Sequence, residues 1–332
     1  MSDLTAIVPI DLSQRPMDIL QKARRLVEGA AQSGISVVFG YNSRKSLSDL
    51  LFTHLFGKHP SCTIATTTER LASVNASHLR NIAHAHVKTP FIVLLDVDIW
   101  PDFELLKKYK NKLAEGERPY FMLPCLYLTE KGSKDLTSHR LATSDLKKRY
   151  FGFSRKEFLH LASPSSVTIM KSKDYRSLGG FDIGYEGHGY EDFDFLVRLA
   201  QMHHMIQPAP DMLQNRVARS PLFAVGFRRY LGECCIDALI SKDMVFHLHH
   251  EKPKKSKYYE ARSTNLSRFQ ERNSQLAGGQ PIGDPTLITS FVNACLESGN
   301  DISEFSVLFE NKPGHIDRYD SFRRRLRFLF NE

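Results

Sequence analysis

The chain has 332 residues, 42% of them hydrophobic, enough to build a sizeable core, which excludes disorder over most of its length. A formal charge of +8 and a pI near 9.1 point to an anionic partner: nucleic acid, a phosphorylated substrate or an acidic membrane surface. Cys62, Cys125, Cys234, Cys235 and Cys295 are scattered with no C-x-x-C spacing and read as reduced thiols. With no basic n-region before a long apolar stretch and no run of about 18 apolar residues, the expected protein is cytoplasmic, neither secreted nor membrane-spanning.

Leu4 to Ile10 (LTAIVPI) predicts a buried strand, and the amphipathic stretch Pro16 to Gln32 the helix after it. A second strand follows at Ile35 to Tyr41, a second helix at Ser46 to Phe56, a third strand at Cys62 to Thr67 and a helix from about Ala72 to Val87. That helix leads into Phe91 to Leu95, FIVLL. Short apolar strands alternating with helices predict an α/β fold with a mostly parallel sheet covered on both faces. Ligands of such sheets bind outside the strand C-terminal ends. Pro9-Ile10-Asp11, Asn42-Ser43 and Asp96-Val97-Asp98 all fall at those ends, so three segments converge on one crevice.

Carboxylates that close a buried strand need a reason. If Asp96 and Asp98 continue the strand, they point to the same side. A divalent cation relieves their repulsion, and oxygen ligands suit Mn²⁺ or Mg²⁺. The alternative is a pair of solvated loop residues. Neither G-x-G-x-x-G after the first strand nor G-x-x-x-x-G-K-[ST] occurs, so a kinase or dehydrogenase loses its main support. Any nucleotide here must be held by other means, one of which is a metal on its diphosphate.

A second constellation, Gly179 to Leu199 (GGFDIGYEGHGYEDFDFLVRL), is a glycine-rich loop feeding a helix. Glu191, Asp192 and Asp194 fall in the first turn, where the dipole favours carboxylates, and Asp194 and Arg198 are spaced for an i, i+4 pair. An ordinary helix start explains the acids but not so many glycines, which let a ligand approach the backbone. Third, the apolar run Met244 to Glu251 (MVFHLHHE) ends in histidines, and neutral imidazole is a good metal ligand. Basic and aromatic residues mingle in Lys131 to Lys156, a solvated face or an acceptor groove. Pro253 to Lys257 (PKKSK) forms another basic patch. Arg318 to Phe330 (RYDSFRRRLRFLF) predicts an amphipathic basic helix, docked on the core or on an anionic membrane.

The order of strand-DVD, then G-G-F-D-x-x-x-x-G-x-G-x-E-D-x-D-x-x-x-R, then a histidine after a short apolar strand resembles the GT-A glycosyltransferases. Closest are the β-1,4-galactosyltransferases and the bacterial chondroitin-polymerase type of capsule enzymes. LRNIAHAHVKTPFIVLLDVD is similar to the A-R-N-x-G-x-x-x-A stretch before the D-x-D of many bacterial transferases. The resemblance spans roughly Thr5 to Phe269. It implies a single GT-A catalytic domain: residues 1–125 a nucleotide-sugar-binding half, 126–270 an acceptor-binding and catalytic half, and 271–332 a C-terminal helical extension.

The resemblance further implies that Asp98 is a metal ligand, with Asp96 beside it on the ribose or metal and His247 as third protein ligand. Asp192 falls on the catalytic base, and Glu191 on its acceptor-binding neighbour, with Gly187, His188 and Gly189 bordering the acceptor. Pro9, Ile10, Asp11, Asn42, Arg80 and Val97 line the donor side. Three departures stand out. His188 replaces a sugar-stacking tryptophan, Asn42 stands where many relatives carry an acid, and Phe193 interrupts an acidic run. The implied activity is metal-dependent (Mn²⁺ or Mg²⁺), inverting transfer from a UDP-sugar to a glycan or lipid-linked acceptor in capsule or lipopolysaccharide assembly, at or near the inner membrane face. The competing readings are a catalytically silent sugar-binding module of the same fold and, with no recognised motif, a nucleic-acid-binding protein.

Overall fold

A computed structural model describes residues 3–67, 74–216, 218–251, 260–280 and 283–311. The chain forms two compact units, each assembled from separated segments: Met1–Met122, Ser166–Gln207 and Lys252–Gln275 in the first, Leu123–Ser165, Pro208–Glu251 and Leu276–Glu332 in the second. The basic stretch Pro253 to Lys257 and the predicted helix Arg318 to Phe330 lie outside the described residues.

The first unit opens with β1 (Leu4–Ile10), α1 (Pro16–Gln32), β2 (Ser36–Tyr41), α2 (Leu47–Phe56), β3 (Cys62–Thr66), α3 (Ala76–His84), β4 (Phe91–Leu94), α4 (Phe103–Glu115) and β5 (Tyr120–Met122). It is completed by β8 (Thr168–Lys171), α7 (Ser172–Ser177), α8 (Glu191–Met202) and α11 (Arg262–Arg272). The strand order is β3-β2-β1-β4-β8-β5. The first four strands are mutually parallel, and β8 runs antiparallel to both β4 and β5. The sheet is therefore mixed but mostly parallel, as the alternation of strand and helix predicted. Strands this apolar must be covered on both faces, and Ala6, Ile7, Val8, Phe39, Ile92 and Val93 are buried.

Local chemistry sets the helix starts. Pro16 occupies the first turn of α1, where its missing N–H costs nothing. The Ser46 hydroxyl accepts the Asp49 N–H at 3.3 Å, and the Asp49 carboxylate accepts the Ser46 N–H at 2.6 Å, a reciprocal cap on α2. On α3, the Asn75 side chain accepts the His78 N–H at 2.8 Å. A side chain at Gly40 would place its Cβ 1.8 Å from the Leu79 carbonyl, so the glycine is what lets α3 lie directly on β2.

The second unit holds a three-stranded sheet, β7-β6-β9, from β6 (Cys125–Leu128), β7 (Phe158–Ala162) and β9 (Val245–His247). Around it run α5 (Glu130–Thr137), α6 (Thr143–Phe151), α9 (Phe227–Gly232), α10 (Ile236–Ile240) and α12 (Ile288–Glu297). Much of the basic charge of its helical region is internally paired. Lys131 and Arg140 meet Asp135, Lys134 meets Glu130, and Arg149 meets the buried Glu157, which favours a charged face over an acceptor groove. All five cysteines are free. Among the described residues no helix is long and apolar enough to cross a membrane.

Candidate active site

Three strand ends supply the first-unit site. β4 stops at Leu94, and Asp96 to Asp98 lie in a turn closed by the Ile99 N–H on the Asp96 carbonyl at 3.0 Å. The same-side rule for i and i+2 holds only for extended backbone, so the expected pairing of the two carboxylates is corrected. Asp96 and Asp98 turn to different cations.

Asp96 is half-buried and accepts from Arg80 Nη2 at 2.8 Å and from the Ser166 hydroxyl at 3.2 Å. Arg80, buried on α3, donates through Nη1 to Asp192 at 2.9 Å. One guanidinium therefore joins the carboxylate after β4 to the one at the start of α8, and its Cζ lies 4.9 Å from the centre of the Phe181 ring. Burial opposes the Arg80 charge, but Asp192, Asp96 and Glu191 outweigh it and hold the group firmly protonated.

Burial is the largest influence on Asp192 and raises its pKa. Arg80 opposes, Glu191 and Asp96 push further up, His188 pulls down, and the outcome is about 7. Glu191 is also raised, first by burial and against Arg80, while it accepts the Gly189 N–H at 2.8 Å. The Asp192 side chain keeps 30% of its surface exposed. A carboxylate near neutrality with an open face is chemically suited to taking a proton from a hydroxyl.

Asp98 is buried. Arg15 donates to both its oxygens, the Nη1 bond measuring 2.8 Å, and Lys22 Nζ donates at 2.7 Å. Burial works against the Arg15 charge, and Asp98 and Asp18 more than offset it. As a hard oxygen donor the Asp98 carboxylate suits a divalent cation. Two side-chain cations already draw on its oxygens, so an entering ion competes with them for the same charge.

On the donor side Asn42 is fully buried and gives its Nδ2 to Asp11 at 2.7 Å. Arg44 and the Ser13 N–H also donate to Asp11, at 3.0 and 2.9 Å. Burial raises Asp11, but these donors together hold it below its usual value. The Asn42 Oδ1 is left buried with no hydrogen-bond partner. Pro9 and Ile10 end β1 opposite Gly40 and Tyr41 of β2, and Val97 is buried in the turn.

The glycine loop is pinned rather than loose. Asn81 accepts the Phe181 N–H at 2.9 Å and the Tyr175 hydroxyl at 2.7 Å, and returns its Nδ2 to the Phe181 carbonyl at 2.8 Å. Gly180 has φ +74°, and a Cβ there would sit 2.4 Å from the Asn81 Oδ1. Arg198 pairs with Asp194 at 2.9 Å, as its spacing predicts, and also caps the carbonyls of Leu178 and Gly180. The Gly187 N–H reaches the Val74 carbonyl at 3.2 Å, and His188 is half-buried.

Within the second unit, His247 ends β9 with its ring stacked on Tyr127 at 4.2 Å, and Tyr127 stacks on His160 at 4.2 Å. The His250 ring centre lies 5.5 Å from that of His247. The His249 N–H donates to Ser133 at 2.6 Å.

Sequence reasoning missed Arg15, Lys22, Arg44 and the clasp role of Asn81. Two signals were present. Arg15 precedes the first turn of a helix, where a cation is disfavoured, and Lys22 sits on the apolar stripe of α1 beside Ile19 and Ala23. Each marks a cation wanted for another purpose.

A family model described as glycosyltransferase-like family 2 matches residues 54–273. The chain belongs to this family. The α/β sheet agrees with the GT-A expectation. Among curated proteins none matches. Among solved structures, the chain is similar to Staphylococcus aureus TarS residues 1–349, with 14% identity over 60% of this chain and 55% of that one, at a TM-score of 0.40. A second is Drosophila β1,4-galactosyltransferase 7 in complex with xylobiose, 15% identical over 60% of each chain, TM-score 0.32. A third, TarS 1–349 in complex with UDP-GlcNAc, is 11% identical over 83% of this chain and 73% of that one, TM-score 0.40. The chain thus spans between about half and two thirds of the first two.

Proposed function

We propose that this family member transfers a sugar from a nucleotide donor, UDP by preference, to a hydroxyl of a glycan or lipid-linked acceptor, with inversion, and that Asp192 is the general base. The observation that carries this is the Arg80 bridge: a buried guanidinium holds Asp96 and Asp192 in one frame while Asp192 rests near neutrality. Asp192 takes the acceptor hydroxyl proton as that oxygen attacks the anomeric carbon from the face opposite the diphosphate. The new glycosidic bond forms as the bond to the diphosphate breaks. Glu191, tied to the Gly189 N–H, supports the acceptor side with Gly187 and His188.

The departing diphosphate gathers charge, and a divalent cation, Mn²⁺ or Mg²⁺, supplies Lewis-acid stabilisation of it when bound. The resemblance assigns that ion to Asp98, with His247 as a further protein ligand, while Asp96, turned to Arg80, is left out of the ligand set. Arg15 and Lys22, which now bond Asp98, carry the charge that a diphosphate held there would need. The unpartnered Asn42 Oδ1 supports a base carrying an imide N–H such as uracil's, since a buried acceptor without a donor is costly. The resemblance suggests bacterial capsule or lipopolysaccharide assembly as the context.

Turnover of a panel of sugar nucleotides with Mn²⁺, compared between the wild type and Asp192→Asn, tests the reading. The variant is expected to bind donor nearly as well while kcat falls at least about a hundredfold. Near-normal turnover would place the base elsewhere, and binding without turnover by the wild type would favour the silent sugar-binding module.

A further inference from the structure

Helix α2 (Leu47–Phe56, LSDLLFTHLF) is apolar on both sides. Its inner side is fixed. Phe52 and Phe56 are buried, pack edge-on to each other at 5.0 Å and lie against Phe39 at 5.4 and 5.6 Å. Phe52 also stacks on Tyr41 at 4.5 Å, and the Tyr41 hydroxyl bonds the capping Asp49. The helix is therefore held by four aromatic rings and a cap and cannot roll its other side inward.

That other side is leucine. Leu47, Leu50, Leu51 and Leu55 recur at i, i+3, i+4 and i+8 and are 85, 67, 39 and 39% exposed. Nine large apolar side chains are exposed among the described residues, and four of them lie on this ten-residue helix, which makes a patch of what is elsewhere scatter. A surface helix normally turns such a stripe toward a core.

The charge around the stripe selects its partner. Between Ser43 and Ser61 the one acidic residue is Asp49, buried and spent on its cap, while Arg44 and Lys45 precede the helix and Lys58 follows it. Lys45 and Lys58 are exposed. A second copy of this chain paired along the helix would bring lysines against lysines. An anionic lipid surface accepts the leucines into its acyl boundary and the lysines among its headgroups. We infer that α2 is a membrane-docking helix that lies flat on an anionic bilayer through Leu47, Leu50, Leu51 and Leu55, with Lys45 and Lys58 at its two ends. The inference is independent of the transferase reading.

The test is flotation of the full chain with vesicles of phosphatidylcholine and phosphatidylglycerol in equal amounts, and with phosphatidylcholine alone. The wild type is expected to float with the anionic vesicles and to be released in part by salt. Leu47→Glu with Leu50→Glu should lower the bound fraction at least about tenfold, since each buried leucine contributes more than one such factor. The thermal midpoint should not move, because neither side chain is packed. Leu47→Gln with Leu50→Gln repeats the measurement without added charge. Equal flotation of these variants would overturn the inference and place attachment elsewhere, the segment 318–330 included. Absence of wild-type flotation would overturn it too. So would a leucine-dependent dimer in sedimentation equilibrium without lipid, which would give the stripe to a second copy.

Discussion

Replacing Arg80 by Gln removes the one charge among the described residues that touches both Asp96 and Asp192, at 2.8 and 2.9 Å. Two unit charges about 4 Å apart attract by ~4 kcal/mol at an effective dielectric of about 20, which is roughly three pKa units. Asp192 is 30% exposed, and Asp96 and Glu191 share the same guanidinium, so solvent and competition reduce this to about one to two units. The sign follows from the role. A general base works deprotonated, so kcat/KM of the wild type should rise with pH through the Asp192 pKa of about 7 and level off above it. Arg80 favours the ionised form, and its loss raises that pKa. The acid limb of the kcat/KM profile should therefore move up by about one to two pH units, and activity at neutrality should fall about tenfold more than at high pH. Arg80→Lys keeps a charge and should restore part of the shift. A profile whose acid limb stays in place while activity falls uniformly would refute the coupling and reduce Arg80 to a structural group.

Arg15→Ala should raise the affinity of the donor-free protein for Mn²⁺, read by the loss of the free-ion resonance signal, because Asp98 then lacks its bidentate guanidinium partner. Unchanged Mn²⁺ binding would mean that Asp98 takes no ion. Gly180→Ala should destabilise by at least about 2 kcal/mol, since its φ of +74° and the Asn81 oxygen 2.4 Å from the new Cβ both resist it. An unmoved thermal midpoint would show that the Asn81 clasp yields freely.

The sheet was legible because buried parallel strands are written as short continuous apolar runs. LTAIVPI became β1 residue for residue, ISVVFGY became β2 less its first residue, and Pro16 and Ser46 marked the starts of α1 and α2. The helix before β4 was expected from about Ala72 to Val87 and is Ala76–His84, its start moved by the Asn75 cap. The acids at the start of α8 and their i, i+4 partner were readable for the same local reasons. The direction of Asp96 and Asp98 was not, because the strand ends two residues early and the turn that follows leaves no periodic trace. The partners Arg15, Lys22 and Arg44 come from the residue before α1, from α1 itself and from the segment after β2, and pairing across so many residues is set by packing alone. The exposed leucines of α2 carry the same pattern as a core face, so only burial separates the two.

The place of β8 in the first sheet has a consequence for biosynthesis. β8 lies between β4 and β5, although some forty residues of the second unit separate it from β5 in the chain. Until Thr168 to Lys171 leave the ribosome, the outer edge of β4 has no native neighbour and β5 has nothing to pair with. At about 5–20 residues per second the interval is of the order of ten seconds. For that time a nascent chain presents an apolar strand with open hydrogen-bonding groups, the kind of edge that other chains join. Chaperone demand during synthesis should peak while the residues between β5 and β8 are being translated.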